Sequence, residues 1–259
     1  QVVKETVVVV ETVEVETEVV VTKEVEVMVE ATAEPSVEVP FEELWANSPH
    51  NDVEAEAFRH WDEDDPAEVP DRCAKCHSTY GMQDFLGVDG SEVGVVNAAA
   101  AIDSTVECVA CHNDATLAKD SVVFPSGVEV SGLGREAICM ECHQGRASKL
   151  SVDGAIEEAG LTDMDTVSED LGFTNIHYYA AAATQAGGTA MGGYQYDGKV
   201  YDAKFTHVDE FDNCVGCHNS HTLELKVEEC QACHTDAASA EHMRNIRMAG
   251  SLVDYDGDA

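Results

Sequence analysis

The N-terminal part of the chain alternates β-branched apolar residues with charged or polar ones. The alternation runs from Val7 to Val27, and no turn signal interrupts it before Glu34-Pro35-Ser36. Such alternation is typical of a β-strand with one solvated face. Like charges along the segment oppose strand pairing, which favours an acidic spacer over a paired strand. We therefore predict a Val/Glu spacer or strand at 1–38, for tethering or subunit contact, and a separately folding domain at 39–259.

Beyond residue 38 the apolar positions fall in short runs separated by Gly, Pro and polar residues. Acidic residues in a first turn indicate short helices at 41–46 and 52–59, the second with Asp52 as its N-cap. Turn residues between β-prone runs predict hairpins at 122–130, around Pro-Ser-Gly, and at 194–201, around Asp-Gly. A terminal helix is predicted at 237–248.

The sequence Cys-x-x-Cys-His occurs five times and uses all ten cysteines of the chain. It is the attachment signature of c-type haem, in which both thiols form thioethers to the haem and the histidine is the proximal iron ligand. The motif cysteines are Cys73 and Cys76, Cys108 and Cys111, Cys139 and Cys142, Cys214 and Cys217, and Cys230 and Cys233. The proximal histidines are His77, His112, His143, His218 and His234. We predict five covalently bound haem c groups.

Disulfides and zinc are the alternative uses of these cysteines. Five disulfides would not explain the histidine after every second cysteine, and cysteines three positions apart close a poor loop for a stabilising bridge. Zinc sites commonly combine two Cys-x-x-Cys pairs, and five pairs cannot be divided evenly in that way. Sites of two cysteines and two histidines remain open as an alternative.

Five haems in a chain of this length would occupy much of its interior. The predicted fold class is therefore a multihaem cytochrome c. It would have little regular secondary structure, with short helices and small β-hairpins wrapped around a haem array and an extended, β-prone N-terminal segment.

Six histidines lie outside the motifs, nearly the number that five second iron ligands would require. Our candidates for these distal ligands are His50, His60, His177, His207 and His221. His221 follows His218 by three residues, so both project to similar sides of a helical turn and His221 should serve a neighbouring haem. His242 is left out, because it lies on a charged helix beyond the last motif.

The sequence resembles a family of secreted multihaem cytochromes c from residue 41 to about 255. The resemblance is carried by Phe41–His50, Phe58–Trp61, Cys73–Ser78, Asn175–Tyr178 and Cys214–Glu224. It implies electron transfer through low-potential haems with two histidine ligands. The chain is more loosely similar to extracellular cytochromes that polymerise into filaments, in which a histidine of one subunit can bind a haem of the next.

The chain carries 51 acidic and 14 basic residues, a formal net charge of -37. This excludes nucleic acid as an expected partner, because phosphate binding needs basic patches. Expected partners are other cytochromes or redox proteins, metal minerals, and further copies in a filament.

No hydrophobic run in the sequence reaches transmembrane length. Haem c attachment occurs outside the cytoplasmic membrane, so we expect an extracellular or cell-surface location, with the periplasm as the alternative.

Two ligands on each iron leave no open coordination position, so the predicted function is an electron conduit and not an enzyme. The alternatives are a soluble periplasmic electron donor to a separate reductase and a multihaem reductase, which would need a free iron position.

One further motif, at 254–258, has oxygen ligands at positions 1, 3 and 5 of a calcium loop. Ala259 stands where that loop needs glycine, so we interpret the segment as a remnant or truncated site, which makes calcium a much weaker candidate cofactor than haem.

Overall fold

The computed structural model of the chain describes residues 38–163, 165–204, 206–244 and 246. The chain divides into two units, 1–40 and 41–259, and every described helix and strand lies in the second. Apart from residue 38, the predicted Val/Glu segment lies outside the described residues. The calcium-like segment at 254–258 also lies outside them.

Short helices are the main regular elements of this second unit. They are α1 Glu42–Ala46, α2 Glu56–Arg59, α3 Asp71–His77, α4 Thr79–Phe85, α5 Cys108–Cys111, α6 Asp114–Ala118, α7 Ala137–His143, α8 Lys149–Glu158, α9 Ala181–Ala186, α10 Cys214–Cys217, α11 Val227–Cys230 and α12 Ala240–Arg244. Single 3₁₀ turns lie at Pro49–Asn51, Gly134–Glu136 and Gly187–Thr189. Two antiparallel strand pairs complete the described elements: β1 Glu68–Val69 with β2 Ala100–Ala101, and β3 Ser121–Val123 with β4 Glu129–Ser131.

The two predicted hairpins have different outcomes. The one at 122–130 is confirmed, with Val122 opposite Val130 and Gly127 at a φ of 78° in its turn. The one at 194–201 is wrong: a turn forms at Asp-Gly, but no strand pair follows in the part of the loop that the structure describes. The backbone N–H of Tyr196 instead donates to the hydroxyl of Tyr201 at 2.8 Å, so a side chain takes the position of a ladder partner.

The predicted helices are present, but some are shorter than expected. The predicted 41–46 helix is α1. In place of the predicted 52–59 helix, α2 begins at Glu56, because Asp52 is not an N-cap; its carboxylate accepts the backbone N–H of Glu54 in a preceding turn. Of the predicted 237–248, α12 covers Ala240–Arg244, and residues 237–239 precede it outside the helix.

Helices α3 and α4 pack closely, and glycine makes this possible. Ser78 caps α4 and accepts the N–H of Gly81 at 3.5 Å. A Cβ at Gly81 would collide with the backbone of Ala74, so a larger residue would force the two helices apart. This contact fixes the helix that contains the first motif.

Three small hydrophobic clusters form the core, and each includes a residue from between the two cysteines of a motif. Ala74 packs with Trp61, Val69 and Ala100. Ala110 packs with Met82 and Leu86. The largest cluster contains Met140, Val122, Phe124, Ala137 and alanines of α9. The core therefore holds the first three motif helices in place.

Candidate functional site

Each of the five motifs lies in a tight helical turn. The first and third are contained whole in α3 and α7. In the other three the backbone N–H of the histidine donates to the carbonyl of the first cysteine, four residues earlier, at 2.8, 2.8 and 2.9 Å. Residues three and four positions apart share one face of a helix, so both cysteines and the histidine of a motif can contact one bound group.

Three of the five motif histidines have their Nδ1 atom occupied by a backbone carbonyl. His77 donates to Ala57 at 2.8 Å, His143 to Tyr179 at 2.9 Å and His218 to Leu223 at 2.8 Å. A carbonyl can only accept, so Nδ1 carries the proton. The lone pair of Nε2 is then the one available to a metal ion, which is the usual arrangement of a metal-binding histidine.

Four motif histidines each lie beside one histidine from outside the motifs. The distances between ring centres are 6.4 Å for His143 and His50, 5.9 Å for His77 and His177, 6.1 Å for His112 and His221, and 6.1 Å for His234 and His207. Every pair combines one predicted proximal ligand with one predicted distal ligand. His221 is paired with the second motif and not with the adjacent His218, as its spacing indicates.

These distances fit two imidazoles that bind one iron from opposite sides. An imidazole nitrogen binds a metal ion at about 2 Å and lies about 1 Å from its own ring centre, which gives about 6 Å between the ring centres. Ordinary aromatic pairs span about 4.5–7 Å, so one such distance would carry little weight. Here four ring-centre distances fall within a narrow range, and each joins a motif histidine to a non-motif histidine. The residues present therefore fit a haem iron.

Burial keeps His50 in the form that a metal ion needs. Desolvation, with a smaller contribution from His143, lowers the pKa of His50 to about 4. Burial also lowers the pKa of His77, and burial followed by the charge of Arg146 lowers that of His177. Metal binding requires neutral imidazole, so these side chains do not have to lose a proton first at neutral pH.

The fourth motif differs from the others. Among the described residues His218 has no second imidazole in ring contact, and the predicted distal ligand His60 is not paired with a motif histidine across a 6 Å gap. His60 instead contacts the edge of Trp61, whose ring centre is 5.0 Å away, and 60% of its side chain is exposed. His218 lines a cavity of about 270 Å³ with Arg135, His221 and Lys226.

The remaining two non-motif histidines with exposed side chains, His60 and His242, have opposite hydrogen bonding at Nδ1. His60 donates from Nδ1 to the Glu56 carboxylate at 2.8 Å, which leaves the lone pair on Nε2. In His242, Nδ1 accepts the backbone N–H of Ala238 at 3.2 Å, so the proton lies on Nε2. His60 therefore retains a free ligand atom, and His242 in this state does not.

Cysteines of different motifs are close neighbours. A hydrogen bond with Cys76 raises the pKa of the Cys142 thiol, and one with Cys139 raises that of Cys214. Burial raises the pKa of Cys111 to about 11, with a contribution from nearby Cys139. These contacts place the third motif beside the first, second and fourth.

The fifth motif is linked to the fourth in the same way. Burial raises the pKa of Cys217, and the next largest contribution comes from Cys230 of the fifth motif. All five motifs therefore belong to one connected cluster. This is the close spacing that the 21 residues from Cys214 to His234 predict for the last two motifs.

One buried glutamate precedes the third motif and another lies within it, and sequence reasoning did not single them out. Glu136 accepts the backbone N–H of Cys214 at 3.0 Å and pairs with Lys204 at 3.3 Å. Glu141, between Cys139 and Cys142, pairs with Lys75 at 3.0 Å and Lys119 at 2.7 Å. One sequence signal could have indicated the Lys75–Glu141 pair: the first motif has a lysine between its cysteines, and the third has a glutamate at the same position.

Disulfides and zinc sites were the alternative uses of these cysteines. None of the ten cysteines is paired in a disulfide in the structure. Within the described residues, no group of three or more His, Cys, Asp or Glu side chains could hold a metal ion unaided. A haem iron differs in this respect, because the porphyrin supplies four ligands and the protein only two.

Comparisons with known proteins add no relative: no protein family, curated protein or solved structure matches this chain. Among the described residues, no helix has the length and apolar character required to cross a membrane.

Proposed function

We propose that this chain is an electron-transfer protein that binds five haem c groups through its Cys-x-x-Cys-His motifs. The observation that carries the proposal is the set of four histidine pairs with ring centres 5.9–6.4 Å apart. Five attachment motifs that use every cysteine support it independently. Each bound haem would supply a one-electron ferric/ferrous couple.

The side chains of the site bind and orient these groups. The motif cysteines would form the covalent attachments, and the motif histidines would present Nε2 to the iron; in His77, His143 and His218 a carbonyl holds Nδ1. His50, His177, His207 and His221 would provide the second imidazole at the third, first, fifth and second motifs. Two imidazoles on an iron leave no position for a substrate, so the geometry favours electron transfer over catalysis at these four sites.

The arrangement of attachment sites favours a relay. The third motif lies beside the first, second and fourth, and the fourth lies beside the fifth. A connected cluster of one-electron groups can pass electrons from one end of the domain to another. The expected partners are other cytochromes, redox proteins or metal minerals, and the expected location is outside the cytoplasmic membrane.

Self-association is a second candidate function, favoured by the fourth motif. His218 has Nε2 available but no second imidazole in contact within the described chain, whereas His60 is exposed and holds its proton on Nδ1 through Glu56. A carboxylate on the far nitrogen makes imidazole a better metal ligand. We propose that His60 of one copy binds the iron at His218 of the next, as a head-to-tail assembly would require.

Electron paramagnetic resonance of the haem-loaded protein tests both proposals. At all concentrations, haems at the first, second, third and fifth motifs should be low-spin. High-spin haem at one equivalent should be present in dilute protein and disappear as the concentration rises and particles grow in light scattering. The variant His60→Ala should keep this signal at high concentration, whereas His242→Ala should behave as the parent.

The outcomes separate the two proposals. High-spin haem at several motifs would overturn the paired-histidine assignment. A single high-spin haem that persists in large assemblies, or that still binds nitrite in them, would overturn the role of His60 and favour a reductase.

A further inference from the structure

Three charged side chains meet where the first three motifs come together. The carboxylate of Glu141 accepts from Lys75 at 3.0 Å and from Lys119 at 2.7 Å, and the side chain of Glu141 is only 4% exposed. Gln144 adds a hydrogen bond to the same carboxylate at 3.1 Å. Lys75 and Lys119 also lie over the ring of Phe85, at 4.7 and 5.9 Å from its centre.

The Lys75–Glu141–Lys119 triad joins motifs that are far apart in sequence. Lys75 lies between the two cysteines of the first motif, and Glu141 lies between those of the third. The backbone contacts of these two residues are reciprocal: the sulfur of Cys76 is 4.0 Å from the carbonyl of Glu141, and that of Cys142 is 3.8 Å from the carbonyl of Lys75. Lys119 follows α6, just beyond the second motif.

The triad has an unusual charge for its surroundings. Two lysines and one glutamate carry a net positive charge, whereas the whole chain has a formal net charge of -37. Charges shielded from water act over longer distances than exposed ones, because they are screened less. The net positive charge of the triad therefore acts mainly on groups attached to Cys76 and Cys142.

We propose that the Lys75–Glu141–Lys119 triad positions the first and third motifs against each other and raises the reduction potential of the haems attached there. This inference depends on the proposed function, since it concerns the same haems. Positive charge stabilises the reduced haem, which carries one positive charge fewer than the oxidised haem. Electrons would then reside preferentially at the centre of the cluster, next to the third motif. The three residues are positioning residues and do not bind iron.

Charge variants give opposite expectations for the reduction potentials. The variant Glu141→Gln leaves two lysines unbalanced, so two of the five potentials should rise. The variant Lys119→Gln leaves a neutral pair, so the same two should fall. The double variant restores the original net charge and should return both towards the parent values. Glu54→Gln, a control at an exposed Glu–Arg pair with 76% of the glutamate side chain exposed, should shift none.

The positioning role needs a readout that is independent of electron transfer. Hydrogen exchange of the haem-loaded protein should increase in α3 and α7 together in Glu141→Gln, with α8 unchanged. A purely structural role would move the potentials of Glu141→Gln and Lys119→Gln in the same direction.

The intact mass of the parent protein separates a failure of the proposed function from a failure of the role of the triad. If the parent protein carries fewer than five haems, the proposed function fails. If five haems are present but the two single variants do not shift potentials in opposite directions, or Glu54→Gln shifts them equally, the role of the triad is overturned. Unchanged exchange in α3 and α7 would overturn its positioning part.

Discussion

The hydrogen bond at Nδ1 determines which ring nitrogen of a histidine is free to bind a metal ion. In His77, His143 and His218 a carbonyl holds the proton on Nδ1, which leaves Nε2 free. In His242 a backbone N–H occupies Nδ1, which places the proton on Nε2. The chain has eleven histidines. The Nδ1 partners of the ones named above lie up to 36 positions away along the chain, so the sequence alone cannot predict these hydrogen bonds.

A histidine substitution at the second motif should therefore have a specific effect. In His221→Ala the iron bound by His112 loses its second imidazole, and about one haem equivalent should become high-spin in electron paramagnetic resonance. His242→Ala is the matched control and should leave the spectrum unchanged. A normal spectrum for His221→Ala would show that the 6.1 Å pair with His112 does not bind a common iron.

At the scale of elements, local turn chemistry could be predicted from the sequence, and long-range packing could not. The Pro-Ser-Gly hairpin at β3 and β4 follows from residues within the turn itself. The β1–β2 pair joins residues 68–69 to 100–101, and no local signal indicates that pairing. The same is true of the Lys75–Glu141 pair, because only folding brings the two motifs together.

Two helical glycines should respond in opposite ways to the same substitution. Gly81→Ala forces a methyl group into the backbone of Ala74, and we expect the free energy of unfolding to fall by about 1–3 kcal/mol. Gly154 in α8 has nothing near its added Cβ, so Gly154→Ala should raise that free energy by roughly 0.5–1 kcal/mol through helix propensity. Chemical denaturation of the haem-loaded protein measures both. Equal effects would contradict the close packing of α3 on α4.

At the scale of the whole molecule, the dominant property is negative charge. A formal net charge of -37 attracts cationic partners and repels anionic ones over a distance set by salt. The identities of partners and the order of the haem reduction potentials depend on the folded surface and its electrostatic field, which cannot be predicted from the motifs. The charge itself could be read from composition and leads to a kinetic prediction.

Electron transfer to small acceptors should depend on salt with a sign set by the charge of the acceptor. The rate with a cationic ruthenium hexaammine complex should fall as ionic strength rises from about 0.01 to 0.15 M, because the Debye length shortens from about 30 to 8 Å. The rate with anionic ferricyanide should rise over the same range. Stopped-flow spectroscopy of the reduced protein measures both, and equal salt dependence would indicate that acceptors react at a locally neutral surface.

The central claim is that all five Cys-x-x-Cys-His motifs carry covalently bound haem, and intact mass spectrometry under denaturing conditions tests it most directly. The account predicts one species at the polypeptide mass plus five haem units, with no thiol that reacts with an alkylating agent. A species with the bare polypeptide mass, with fewer haems, or with reactive thiols at any motif would contradict it.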